Sequence, residues 1–330
     1  MHSCTAKATT PTPTPTPVPT TSTSTTGTRN LATKGKEDKQ KESHPLHRRR
    51  TLYLVRHGEA VHNVRESIAQ EKARQEALVL GLSPQETKER VEQARKDVLL
   101  DKSLLDAPLT EKGRQQAKQA GEYLAKLVND DNHIARAPTE AMVSPLSRCL
   151  ETAEILLKQR APPTTQSQSN NGTVDSIKDG NTADNANTTL RVHIRPELRE
   201  RQTQYPPDTP QSLDNLLRWT RQEYTEKEEM GQNQTYFKFH VKEHALTGHE
   251  LEVEESKMML RERASKLFDI LMEMQHTHIL IVSHKGFLRE MERGLLGLQD
   301  SPLFDNAELR IYRVVFTKGD RKLSSVERLA

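Results

Sequence analysis

The sequence is poor in the residues that staple a fold or span a membrane. It holds two cysteines in 330 residues, Cys4 and Cys149. Met1 is followed by no apolar run of the kind a secretory leader carries. A disulfide-stapled secreted protein is therefore excluded, and a reducing compartment is expected. Zinc-ribbon patterns need more cysteine than this. No stretch of ~18 apolar residues occurs, so no membrane-spanning helix is expected. Aromatic residues make up 4% of the chain and hydrophobic residues 33%, with a mean hydropathy of −0.81. Part of the chain therefore cannot pack into a core.

Net charge is also small, +3, and it is unevenly placed. Residues 1–50 carry +6 and the remaining 280 carry −3. The basic excess belongs to a tail. That tail has no interleaved aromatics and the remainder is net negative, so nucleic acid is not an expected partner.

Residues 1–33 contain 13 threonines in a Thr-Pro alternation. Proline fixes φ and removes a backbone donor, and nothing apolar is available to bury. Residues 1–50 are read as a disordered Thr/Pro-rich and basic tail. The tail is rich in Ser/Thr and free of acidic residues before Glu37, features it shares with organelle transit peptides. The expected location is cytoplasmic, with an organelle as the alternative. A second low-complexity stretch, 161–189, reads as a disordered surface loop. Asn171, Asn187 and Asn233 fit the glycosylation sequon, as chance matches in an Asn/Thr-rich sequence.

The domain, 51–330, opens on Thr51-Leu-Tyr-Leu-Val55, a strand that stops at Arg56-His57-Gly58. A helical insertion of charged residues follows at about 64–100, broken at Gly81-Leu-Ser-Pro84. Thr110 is an N-cap candidate for the next helix. Short strands are read at 141–143, 191–194, 278–282 and 310–316, with helices over 147–158, 252–275 and 288–296. Strands alternating with helices predict an α/β fold, a three-layer αβα sandwich around a doubly wound, mostly parallel sheet.

In such sheets ligands bind at the carboxyl ends of the strands. Here those ends deliver Arg56, His57, Arg148, Glu200 and His284. A lone histidine there is more often structural, and a lone arginine a surface charge. Together they suit one chemistry. Guanidiniums bind phosphate oxygens bidentately and stay charged. A neutral imidazole can attack phosphorus, and a second can steady the transferring oxygens. A carboxyl group can protonate the leaving oxygen and then accept a proton from water. This chemistry needs no metal and no cofactor. Cys149 lacks the C-x5-R spacing of cysteine phosphatases and reads as a helix-buried thiol. His276 and His278, or His240, His244 and His249, find no carboxylate or cysteine completing a ligand pattern and read as solvated.

These residues carry a resemblance. Arg56-His57-Gly58-Glu-Ala-Val-His-Asn63 is similar to the RHG signature of the histidine phosphatase superfamily (branch 1), the phosphoglycerate-mutase-like family. Asp106–Gln116 is similar to its LTxxGxxQ element, and Val143-Ser-Pro-Leu-Ser-Arg148 with Thr152-Ala153 to its SPLxRxxxTA element. Leu198-Arg-Glu200, Val282-Ser-His-Lys-Gly286 and Asn306-Ala-Glu-Leu309 follow in family order. The resemblance implies a phosphoglycerate-mutase-like fold, with His57 as the phosphorylated nucleophile and Glu200 as acid/base, Glu197 being a less apt substitute. It implies that Arg56, Arg148 and His284 form the phosphate pocket, with Asn63 a further contact beside Gly58. Lys285 stands where many members have a small residue; it either adds a substrate contact or faces solvent.

Genuine phosphoglycerate mutases continue RHGESxWN, whereas this chain has Ala60 and His62 at the Ser and Trp positions. It is closer to the phosphoglycerate-mutase-like proteins of plants and fungi. Phosphatase activity on a small-molecule or protein phosphomonoester is expected. Mutase activity is the alternative, and a catalytically quiet phospho-ligand-binding or scaffold module the alternative of another class. A lid role for the 64–100 helices and the oligomeric state stay open.

Overall fold

The computed structural model describes residues 47–130, 133–159, 190–210, 212–221, 224–227, 233–241, 254–317 and 322–330. The Thr/Pro-rich stretch and the 161–189 loop lie outside the described residues. One compact unit runs from Pro45 to Ala330.

Its first strand, β1 (His47–Arg56), carries apolar residues at consecutive positions and is buried on both faces. Leu52 and Leu54 point into one core, Tyr53 and Val55 into the other. This is the period-two consequence of a pleated strand lying in the middle of a sandwich. The strand starts at His47, earlier than the sequence reading placed it. The run Arg48–Arg50 reads as solvated charge, but Arg50 is buried and donates to the carbonyls of Leu271 (3.3 Å) and Met274 (2.7 Å).

After β1 come helices α1 (Val61–Val79) and α2 (Pro84–Leu99), packed against each other as a hairpin. Gly81, at φ +63°, makes the turn, and Ser83 with Glu86 forms the capping box that starts α2. Then follow α3 (Glu111–Asn129), β2 (Glu140–Val143), α4 (Ser147–Lys158), β3 (Leu190–Ile194) and α5 (Leu213–Arg221). The chain continues through β4 (Tyr224–Lys227), β5 (Asn233–His240), α6 (Lys257–Ser265), α7 (Leu267–Glu273) and β6 (His278–Ser283). It ends with α8 (Lys285–Gly294), β7 (Leu309–Thr317) and β8 (Lys322–Arg328). Thr110 caps α3, its hydroxyl accepting from the Gly113 N–H at 3.0 Å.

The eight strands form one sheet in the order β4-β5-β3-β2-β6-β1-β7-β8. The five central strands are mutually parallel, and β4, β7 and β8 pair antiparallel at the edges. The edge strands β4 and β8, and β5 next to β4, have no counterpart in the sequence reading. The expected single helix over 252–275 is two pieces: Ser256 caps α6, and the helix breaks at Lys266.

Helices α3, α4 and α5 cover one face of the sheet and α6, α7 and α8 the other, giving the three-layer αβα sandwich. Ile279 to Val282 of β6 are all fully buried between the layers. Each such side chain contributes about 1.5–3 kcal/mol. No described helix is long and apolar enough to cross a membrane.

Candidate active site

The central strands β1, β2 and β6 end on the same side of the sheet, and their carboxyl ends position the polar cluster. Parallel pairing puts Arg56 beside Ser283, so the residues that follow each strand, His57 and His284, become neighbours. Their rings meet edge to face with centroids 5.1 Å apart. The His57 N–H donates to the Ser283 carbonyl at 3.0 Å, locking the two strand ends together.

His57 is almost wholly buried, and its Nδ1 lies 2.6 Å from the Gly58 carbonyl. A carbonyl only accepts, so Nδ1 carries the proton and Nε2 presents its lone pair; the tautomer is assigned from this bond. Burial, then the Arg148 and Arg56 cations, hold the His57 pKa well below the ordinary histidine value. The ring is therefore neutral at pH 7. His284 is held down in the same way by burial, Arg148 and His57. Its Nε2 sits 2.8 Å from the Ser144 hydroxyl at the end of β2.

Arg56 donates through Nη1 to the Phe304 carbonyl (2.9 Å). Arg148, in the first turn of α4, donates to the Pro207 carbonyl (2.6 Å) and to Asp208 Oδ1 (3.0 Å). Both guanidiniums are buried, and in both the Nε–H has no protein partner. Buried, unpaired donors beside two neutral imidazoles suit an anion.

Two close backbone approaches shape the mouth. A Cβ on Gly58 would come within 2.4 Å of the Gly113 carbonyl oxygen, and one on Gly113 within 2.0 Å of the Glu59 carbonyl oxygen. The RHG turn and the start of α3 thus require glycine at both positions. Thr152, one helical turn after Arg148, ties α4 to this turn: its hydroxyl accepts from the Gly58 N–H (3.1 Å) and donates to the Arg148 carbonyl (2.7 Å).

Glu200 lies at the other rim. Its Oε2 accepts from the Gly286 N–H at 3.3 Å, so the carboxylate sits on the N-terminus of α8, where the helix dipole favours it. Arg263 holds the segment leading to Glu200 by donating to the carbonyls of Glu197 (2.7 Å), Arg199 (2.9 Å) and Glu200 (3.0 Å). Glu255 anchors that arginine through both oxygens (2.9 and 2.7 Å). Lys285 reaches solvent, and dehydration along its stem with the nearby Arg56 cation lowers its pKa, while Glu200 and Glu66 oppose this.

The Asn63 side chain is committed locally. Its Oδ1 accepts from the Ala60 N–H (3.1 Å), capping α1, and its Nδ2 lies 2.9 Å from His62 Nε2. His62 is buried beside the cluster, its ring 6.3 Å from that of His57. In the sequence reading His62 was only a departure from the mutase pattern. The sequence reading does not assign Ser144 or Arg263 to the site, and it names Asp208 only as part of a likeness to plant and fungal proteins. Of these, Ser144 carries a readable signal, a hydroxyl directly after a buried strand.

Cys149 is fully buried in α4, and burial raises its thiol pKa. His278 stands at the amino end of β6, its ring 3.1 Å from the Tyr53 hydroxyl, away from the cluster. His244 and His249 lie outside the described residues. Among the described residues no group of three or more His, Cys, Asp or Glu is arranged to hold a metal.

This fold and this cluster define an α/β protein with its polar site at the carboxyl ends of parallel strands. A family model, "Histidine phosphatase superfamily (branch 1)", matches residues 100–169 and 181–328, and the chain belongs to that superfamily. The matched residues include Arg148, Glu200 and His284; Arg56 and His57 precede them, separated by α1 and α2. No curated protein matches the sequence.

Among solved structures, the mycobacterial glucosyl-3-phosphoglycerate phosphatase with VO3 is 16% identical, covers 84% of this chain and 98% of its own, and has a TM-score of 0.41. The ecdysone phosphate phosphatase from Bombix mori with tungstate is 15% identical over 84% and 92%, with a TM-score of 0.43. A Bacillus stearothermophilus protein is 18% identical over 83% and 93%, with a TM-score of 0.41.

Proposed function

We propose that the protein hydrolyses phosphomonoesters through a phosphohistidine at His57. One observation supports this above the others: His57 is neutral, pinned at Nδ1 by the Gly58 carbonyl, and flanked by Arg56, Arg148 and His284. The Nε2 lone pair attacks phosphorus, and the P–O bond to the leaving group breaks. The guanidiniums neutralise charge spreading over the equatorial oxygens. Glu200 gives a proton to the leaving oxygen. Water then attacks the phosphohistidine, passing a proton back to Glu200 and releasing phosphate. No residue in this scheme calls for a metal.

The test is a panel of phosphomonoesters assayed in EDTA with wild type and His57→Ala. Hydrolysis by wild type and its loss in the variant are expected; equal activity in both would overturn the mechanism. Faster transfer between positions of a phosphoglycerate than phosphate release would make the protein a mutase. Binding without turnover of any ester would make it a phospho-ligand-binding module.

A further inference from the structure

His62 is a buried imidazole with one ring nitrogen unexplained by the fold. Its neighbour Asn63 fixes its tautomer. The Ala60 N–H donates to Asn63 Oδ1 at 3.1 Å, so that atom is the oxygen and the atom 2.9 Å from His62 Nε2 is the amide nitrogen, a donor only. His62 Nε2 therefore accepts, and the ring proton sits on Nδ1. That Nδ1–H is buried and has no partner. A buried donor without an acceptor costs about 1–3 kcal/mol, so such a group calls for an explanation.

The surroundings supply one. The His62 ring lies 6.3 Å from the His57 ring, tilted by 47°. At that separation the two rings make no hydrogen bond to each other, and His62 stands within reach of the same pocket. The Arg148 and Arg56 cations that act on His57 act on His62 as well, joined there by Arg95. We propose that His62 is a third imidazole of the phosphate pocket, its Nδ1–H donating to a phosphoryl oxygen of the ester bound at His57. The proposal rests on the phosphatase reading of the site and adds to it a residue that would touch the transferring group. Asn63 is then a positioning residue, which aims the His62 ring while capping α1. Burial and the arginines push the His62 pKa down to about 2, so the ring stays neutral with a single N–H to offer.

The test uses the full chain and orthovanadate, measured by titration calorimetry. His62→Phe keeps an aromatic ring without a donor, and His62→Gln keeps a polar chain whose amide reaches the Nε2 position. Both should bind vanadate roughly 10- to 100-fold more weakly, the loss of one hydrogen bond to a charged group. His62→Asn places an N–H where Nδ1 stood and should recover most of that loss. Wild-type affinity in the Phe and Gln variants overturns the proposal. If those variants fail to fold, nitrogen NMR of wild type decides: the His62 Nδ1–H signal should move on adding vanadate, and an unmoved signal overturns it. Wild type that binds no vanadate overturns the phosphate pocket itself, a separate outcome.

Discussion

The role of Glu200 can be isolated by adding one methyl group. Gly286 lies in the first turn of α8, and a Cβ built there would sit 2.3 Å from Glu200 Oε1. Real Cβ contacts stay beyond 3.0 Å, so Gly286→Ala drives the carboxylate back by at least the difference between the two. The obstructing atoms are the end of a flexible side chain, so the backbone need not move. Alanine also has the higher helix propensity, by up to about 1 kcal/mol. Stability should therefore hold or rise slightly. Activity should not, because a general acid contributes roughly 100-fold or more and a displacement approaching 1 Å forfeits much of it. The assay is steady-state hydrolysis of two esters, p-nitrophenyl phosphate and an alkyl phosphate, alongside thermal melting and vanadate binding. The alkyl ester needs a proton on its departing oxygen; nitrophenolate needs far less help. Gly286→Ala should lose kcat on the alkyl ester by about 100-fold and much less on the aryl ester, with Tm and vanadate affinity preserved. Equal losses on both esters, or none, would refute the assignment of Glu200 as acid.

Three further outcomes are expected. Arg148→Ala removes a guanidinium with an unpaired buried donor and should weaken vanadate binding by roughly 100-fold, read by calorimetry; unchanged affinity would take Arg148 out of the pocket. Glu292→Gln strips a fully buried carboxylate that accepts from Arg310 (3.0 and 2.9 Å) and from the Tyr312 hydroxyl (2.7 Å). Arg310 would keep Glu308, so the expected cost is about 3 kcal/mol, or a Tm lower by about 10 °C in calorimetry. His57, His62 and His284 all have folded pKa values depressed below the histidine norm. The unfolded chain binds more protons than the native state below the unfolded value, so stability is present above about pH 6.5 and lost as pH falls. The slope should approach roughly 4 kcal/mol per pH unit from these three rings, read from denaturant midpoints at several pH values; a flat profile would mean the rings are solvated.

What the sequence shows of this molecule follows from how local each cause is. The β1 and β6 strands announce themselves because burial on both faces demands unbroken apolar runs such as His278-Ile-Leu-Ile-Val282. The turn before α2 is equally legible, since Gly81, Ser83, Pro84 and Glu86 each act on neighbours a few residues away. The start of β1 at His47 is not, because Arg50 is satisfied by the carbonyls of Leu271 in α7 and of Met274 just after it, more than 200 residues on. The strand-end placement of Arg56, His57, Arg148 and His284 could be inferred from topology, and the cluster follows from parallel pairing. The local partners of Asn63 are visible only in the fold: its side chain caps α1 and meets His62. Arg263 was invisible for a similar reason. Its place in a charged helix looks solvated, and only the fold turns it toward three carbonyls beside Glu200.

The central claim is covalent, and the most direct measurement traps the covalent species. Wild type, mixed with a phosphomonoester and quenched in alkali during turnover, is digested and mapped by mass spectrometry. The account predicts one added phosphoryl group on the peptide containing His57, assigned to that residue, and none in His57→Ala. Continued hydrolysis with no phosphoryl group on the protein, or with the group on His62 or His284 in place of His57, would contradict it.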